Sequence, residues 1–176
     1  MNSAMIDKLM DVCTRHSDEI AEQWYKSLST NLRTKACLAV PKEACLRHAS
    51  GIYRSIADMY FAQDCCQAVE RTLDVSGFVD TFYARGVPLE QVLYALILLR
   101  RRIWLYADSQ LIFNLSVPDM ASTLESINRI LTVFDYASFY VARTYNENGA
   151  RAPHPAVLNA TAVNQKVPGP KSRLPV

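Results

Sequence analysis

Glycine is scarce in this 176-residue chain, only five residues, and the sequence holds no phosphate-cradling glycine loop, no G-x-S-x-G and no H-E-x-x-H. Those gaps remove the common signatures of nucleotide-dependent and hydrolytic enzymes, and no catalytic residue is assigned. Glu-x-x-His pairs are also missing, which excludes a ferritin-like di-metal centre. The five cysteines are odd in number and none sits in a C-x-x-C pair, so they read as reduced thiols without a metal. A strand pattern of period two is absent, as are Gly-Gly and Asn-Gly hairpin turns. No run of apolar residues approaches the roughly 20 that cross a bilayer, and no charged start precedes an apolar block near residue 1. The expectation is a cytoplasmic protein without membrane insertion.

Acidic residues stop at Glu147, while Arg151, Lys166, Lys171 and Arg173 follow it. The formal charge of +2 therefore divides into +4 on the end of the chain and −2 on the body. A body so close to neutral does not suit a nucleic-acid-binding fold held by phosphate contacts. Five of the eight prolines also lie beyond Gly149, with no aromatic residue among them. Residues 149–176 read as a disordered basic tail, and residues 1–148 as one folded domain. Four cations spread along the tail without an apolar anchor are a weak case for a membrane-surface role.

What is present is helical periodicity. Ile6, Leu9, Cys13, Ile20, Trp24 and Leu28 recur at steps of three and four, as one long helix or two pieces with a start at Ser17-Asp18-Glu19. Thr30 to Val40 is a connection. Pro41 opens a second helix whose buried face is Cys45, Ile52, Ile56 and Met59 and which ends near Gln63. A third region weakens at Ser76-Gly77, resumes at Phe78 and stops at Gly86. From Pro88 to about Phe113 runs a helix with eight consecutive apolar residues, Val92 to Leu99, which predicts that other helices enclose it on all sides. Ser116 and Pro118 signal a last helix, in which Met120, Leu124, Ile127, Leu131, Phe134, Ser138, Val141 and Tyr145 form a heptad seam, with an end at Asn146 to Gly149. The fold class is all-α: a single helical bundle of globin-like or sensor type with a buried central helix and a long C-terminal helix.

Arg100, Arg101 and Arg102 point in directions about 100° apart, so at least one approaches the buried side, where Asp135 or Asp80 would pair with it. The others, beside Trp104, suit partner contact, because arginine and tryptophan concentrate at binding hot spots. Tyr136 and Tyr140, among the aromatics of the last helix, suit packing or helix pairing across a homodimer. With the tail cations, the candidate partner-binding residues are Arg101, Arg102, Trp104, Tyr136, Tyr140, Arg151, Lys166, Lys171 and Arg173. His16, near the stripe of Leu9, Cys13 and Ile20, is the residue that a haem reading would use first, against an ordinary role as a solvated or capping group; His48, next to Cys45 and Ile52 on the second helix, has no stronger claim, and His154 has no scaffold to hold it.

Three segments together carry a resemblance: His16-Ser17-Asp18-Glu19-Ile20-Ala21-Glu22-Gln23-Trp24-Tyr25, Gly86-Val87-Pro88-Leu89-Glu90-Gln91-Val92 leading to Leu99-Arg100, and Phe134-Asp135-Tyr136-Ala137. Over about residues 5–147 the chain resembles the N-terminal domain of RsbRD-type co-antagonists of the RsbT kinase, as a stand-alone member. That resemblance implies an all-helical, non-catalytic sensor or docking domain, which elsewhere precedes an output module such as a STAS domain or a histidine kinase. Here the position of such a module is taken by the short basic tail, so a signal would leave through a separate protein. Stand-alone members resemble accessory proteins, some of them associated with sulfur-metabolism redox systems. The expected function is regulatory or accessory protein binding without a cofactor, the alternative being a small-ligand or haem sensor that acts through a separate output protein.

Overall fold

A computed structural model describes residues 4–110 and 120–151. Among these residues there are eight α-helices, one 3-10 helix and no strand. The chain divides into two units, Met1–Tyr145 and Asn146–Val176, and of the second only the helical residues 146–151 are described. The expected tail beyond Arg151 lies outside the described residues, as does the predicted start at Ser116 and Pro118.

The first apolar stripe divides into α1 (Ala4–Arg15) and α2 (Ser17–Thr30), separated only by His16 at φ −107° and ψ 20°. Ile6, Leu9 and Cys13 on α1 and Ile20, Trp24 and Leu28 on α2 are all buried. At the end of α2 the Asn31 side chain accepts from Arg33 N at 2.9 Å and starts the 3-10 helix Leu32–Ala39. Buried Thr34, inside it, donates through Oγ1 to Leu28 O at 2.6 Å, which folds the connection back onto α2.

Pro41 precedes α3 (Lys42–Arg54), and α4 (Ile56–Phe61) follows. A continuous helix to about Gln63 was the expectation; the structure bends it at Ser55 and ends it at Phe61. Ser55 sits at the bend and Gly51 one turn before it, both poor helix formers and a common setting for a kink. Asp64 then caps α5 (Cys65–Ser76), accepting from Gln67 N at 2.9 Å. Gly77, at φ 64°, separates α5 from α6 (Phe78–Ala84). The end of α6 is a Schellman motif: Gly86, at φ 67°, donates to Tyr83 O, and Val87 donates to Phe82 O.

The central helix α7 (Leu89–Ser109) buries Val92, Ala95, Leu96, Leu98, Leu99, Ile103 and Tyr106. Two aromatic side chains donate into its backbone one turn apart: Trp24 Nε1 to Ala95 O at 3.0 Å and Tyr53 Oη to Leu99 O at 3.1 Å. Gln91 at its start accepts from Ala36 N at 2.8 Å, tying down the 3-10 segment. Enclosure on all sides is not what α7 has, however. Ile97 is 44% exposed and Leu105 43% exposed, so one flank of the helix is open.

The last helix, α8 (Met120–Arg151), passes through Gly149 without the left-handed turn expected there. Its buried face is Ile130, Val133, Phe134, Ala137, Tyr140, Val141 and Tyr145. The heptad seam matches this face at Phe134, Val141 and Tyr145 but leaves Leu124 exposed and Ile127, Leu131 and Ser138 half-buried. A 3.5-residue repeat drifts by about 20° per heptad on a straight helix, so a seam in register at one end leaves the core at the other. Tyr145 Oη donates to Val87 O at 3.1 Å, and Arg143 pairs with Glu70 at 2.9 Å, fixing α8 against the chain entering α7 and against α5.

Candidate functional site

The arginine triplet on α7 separates as the helical angle requires. Arg100 turns toward α8, its Nη1 3.9 Å from Asp135 Oδ1. Arg102 turns the other way: its Nε and Nη2 both donate to Ser27 Oγ on α2, the first at 3.1 Å. Ser27 Oγ in turn donates to Gln23 O at 3.2 Å. Arg101 lies between them on the open flank and is exposed. Half-buried Trp104 packs against the core.

Between α2 and α7 these residues leave a groove of about 280 Å³. Ser27, Thr30 and Asn31 form one wall, and Leu98, Arg101, Arg102 and Leu105 the other. No Asp or Glu among the described residues pairs with Arg101 or Arg102; Arg33, Arg47 and Arg85 also have none, but only Arg101 and Arg102 share the lining of one groove. Leu32, next in sequence to Asn31, is 81% exposed. An apolar stripe and two uncompensated guanidinium groups thus share one face. The α2 wall was not foreseen in the sequence; the polar residues Ser27, Ser29, Thr30 and Asn31 around buried Leu28 were its only signal.

The other candidates are dispersed. Tyr136, 37% exposed, lines a separate groove of about 470 Å³ with Cys65, Cys66 and Arg129. Tyr140 is buried, its hydroxyl bonded to Asp74, and burial together with that carboxylate pushes its pKa up to about 12, so it is not part of a surface. Arg151 ends α8, and Lys166, Lys171 and Arg173 lie outside the described residues. His16 sits on the surface, its Nδ1 3.5 Å from Glu19 and its ring 5.7 Å from that of Tyr106. Among the described residues no three His, Cys, Asp or Glu side chains converge to hold a metal, and no helix is long and apolar enough to cross a membrane.

His48, which the sequence places beside Cys45 and Ile52, has an unexpected environment. It is only 4% exposed on α3, packed edge-on at 6.1 Å against Phe78, and among the described residues neither ring nitrogen has a hydrogen-bond partner. Desolvation lowers its pKa, with the backbone of Ser76 acting in the opposite direction and the charge of Arg47 in the same one.

The cysteines divide by environment. Burial raises the thiols of Cys13 and Cys37 to about 12 and that of Cys45 to about 11, whereas Cys65 and Cys66 are half-exposed and raised by less. A thiol-disulfide reagent at pH 8 is expected to modify Cys65 and Cys66 in the native protein and the other three only on unfolding, because the thiolate is the nucleophile. Peptide mapping of the modified protein checks this order, and early labelling of Cys13, Cys37 or Cys45 would contradict it.

Comparison of the chain with protein-family models, with curated proteins and with solved structures gives no match. Family and function then rest on the residues themselves.

Proposed function

We propose that the chain is a non-catalytic protein-binding domain of regulatory or accessory type, which docks through the open flank of α7. The observation that carries this reading is that Ile97 and Leu105 are exposed one helical turn on either side of Arg101, on a helix otherwise committed to the core. Isolated exposed apolar residues are ordinary, but a stripe beside arginines has the composition of an interface centre. The resemblance to the N-terminal domains of kinase co-antagonists, which dock and do not catalyse, agrees with it. A link to sulfur-metabolism redox complexes rests on that resemblance alone.

The test compares three tagged full-length proteins expressed in the native cells. They are the unaltered chain, an Ile97→Glu/Leu105→Glu variant, and a variant with Lys166, Lys171 and Arg173 each changed to Gln. A dominant co-purifying protein should be retained by the first and third and lost from the second, with all three melting alike. Loss from the third instead would move docking to the basic tail, and equal retention by all would remove the α7 flank from consideration.

A further inference from the structure

The groove between α2 and α7 has a chemistry more specific than a general docking face. Arg102 is half-buried, and its fork is held by one neutral hydroxyl, Ser27 Oγ, which fixes the guanidinium in position without neutralising it. Arg101 precedes it in sequence, exposed and also without a carboxylate among the described residues. An arginine held half out of water beside a second cation is electrostatically unfavourable until an anion arrives, and its planar fork suits a carboxylate or a phosphate. The rim supplies further donors in Thr30 and Asn31, and apolar flanks in Leu98 and Leu105.

We infer that this groove is an anion-recognition subsite that takes the carboxylate side chains of an acidic, leucine-containing segment of a partner protein, with the apolar side chains of that segment on Ile97 and Leu105. This rests on the protein-binding reading above and adds the partner's chemistry to it. Ile97, Arg101 and Leu105 follow one another at four-residue steps, so the stripe is about 12 Å long at 1.5 Å per residue and matches two turns of a helix or a short extended peptide. The chain's own end is not the occupant by charge. Residues 148–176 contain four cations and no Asp or Glu, so their side chains would repel Arg101 and Arg102.

The experiment is fluorescence anisotropy on the full-length protein with three labelled peptides that share a leucine pattern and carry Glu, Gln or Lys at the remaining positions. The Glu peptide should bind, its affinity falling with added salt, and the Gln and Lys peptides should bind at least about tenfold more weakly. Arg102→Gln should weaken the Glu peptide about tenfold or more, the scale of one charge-assisted hydrogen bond, and Arg102→Lys should recover only part of that, because the fork is lost. Exposed Arg101 makes no hydrogen bond or ion pair among the described residues, so Arg101→Glu keeps the test valid if Arg102 variants melt early; it should lose the Glu peptide and gain the Lys peptide.

Equal binding of Glu and Gln peptides, or an Arg101→Glu variant that keeps the Glu peptide, would overturn the inference. Saturable binding of inorganic phosphate with no binding of any peptide would assign the groove to a small anion and overturn the peptide occupant. A dimer in sedimentation that Arg101→Glu dissolves would make a second copy of the chain the occupant and likewise overturn it. If the native partner is lost from the Ile97→Glu/Leu105→Glu protein but retained by Arg101→Glu, the protein-binding reading stands and the anion subsite falls.

Discussion

Replacing Trp24 by alanine is expected to cost about 3–5 kcal/mol of folding stability and to lower the melting midpoint by roughly 6–20 °C. The side chain is fully buried, so its removal forfeits transfer free energy and leaves a cavity at the contact of α2 with α7. The indole also donates to Ala95 O across 71 residues of sequence, which makes the ring a long-range tie as well as a filler. Trp24→Phe separates the two contributions. It keeps most of the apolar volume and removes the donor, at a cost of roughly 1–2 kcal/mol. Denaturant melts of both variants check the pair, and similar losses would mean that the hydrogen bond outweighs the volume.

His48 should act in the opposite direction. Both of its ring nitrogens are buried without a partner among the described residues, and a buried unsatisfied polar group costs about 1–3 kcal/mol. His48→Leu, similar in volume, is expected to stabilise the fold by about that amount while keeping the contact with Phe78. The sign of the pH dependence follows from the lowered pKa. The unfolded chain binds a proton at His48 near its ordinary value of 6.5, and the native chain binds it only at lower pH. Between those two values the unfolded state holds more protons, so native stability falls as pH drops below 6.5 and levels off only below the folded pKa. In the leucine variant this acid-side loss should be reduced. Urea melts at about pH 7.5, 6.5 and 5.5 on both proteins measure it, and an identical slope in the two would show that other groups carry the acid response.

Helix order was legible because buried faces in this chain repeat at three and four residues, but the count was not, since Pro41 to Gln63 was read as one helix and the 3-10 helix Leu32–Ala39 as a plain connection. Ile6 through Leu28 marked α1 and α2, and Gly77 and Gly86 marked breaks that the structure makes with positive φ. Asp135 was one of two carboxylates the sequence offered to the arginine triplet, but which arginine would meet it was not readable, and the pair with Arg100 forms at 3.9 Å near the surface and not in the interior. Tertiary placement was not legible either. Nothing in Val92 to Leu99 says which flank has no neighbour, because an apolar helix has the same local pattern whether it is enclosed on all sides or on most. Ser27 could not be identified as the partner of Arg102, since the pair is separated by 75 residues and formed by a helix crossing. The phase of α8 was read from apolar identity alone, and Leu124 and Leu131 drew the seam away from Ile130 and Val133.

The two carbonyls of α7 that receive Trp24 and Tyr53 are four residues apart, on the same side of the helix. Sliding α7 by one residue would move both acceptors by about 1.5 Å and turn them by about 100°, out of reach of two rings that are themselves packed in place. The helix that presents Ile97, Arg101 and Leu105 is therefore keyed against both translation and rotation. On the proposed docking reading, a partner on that flank would meet a fixed anvil, not a lever, and its arrival would be reported by what the bound partner can no longer do, not by a piston stroke through the bundle.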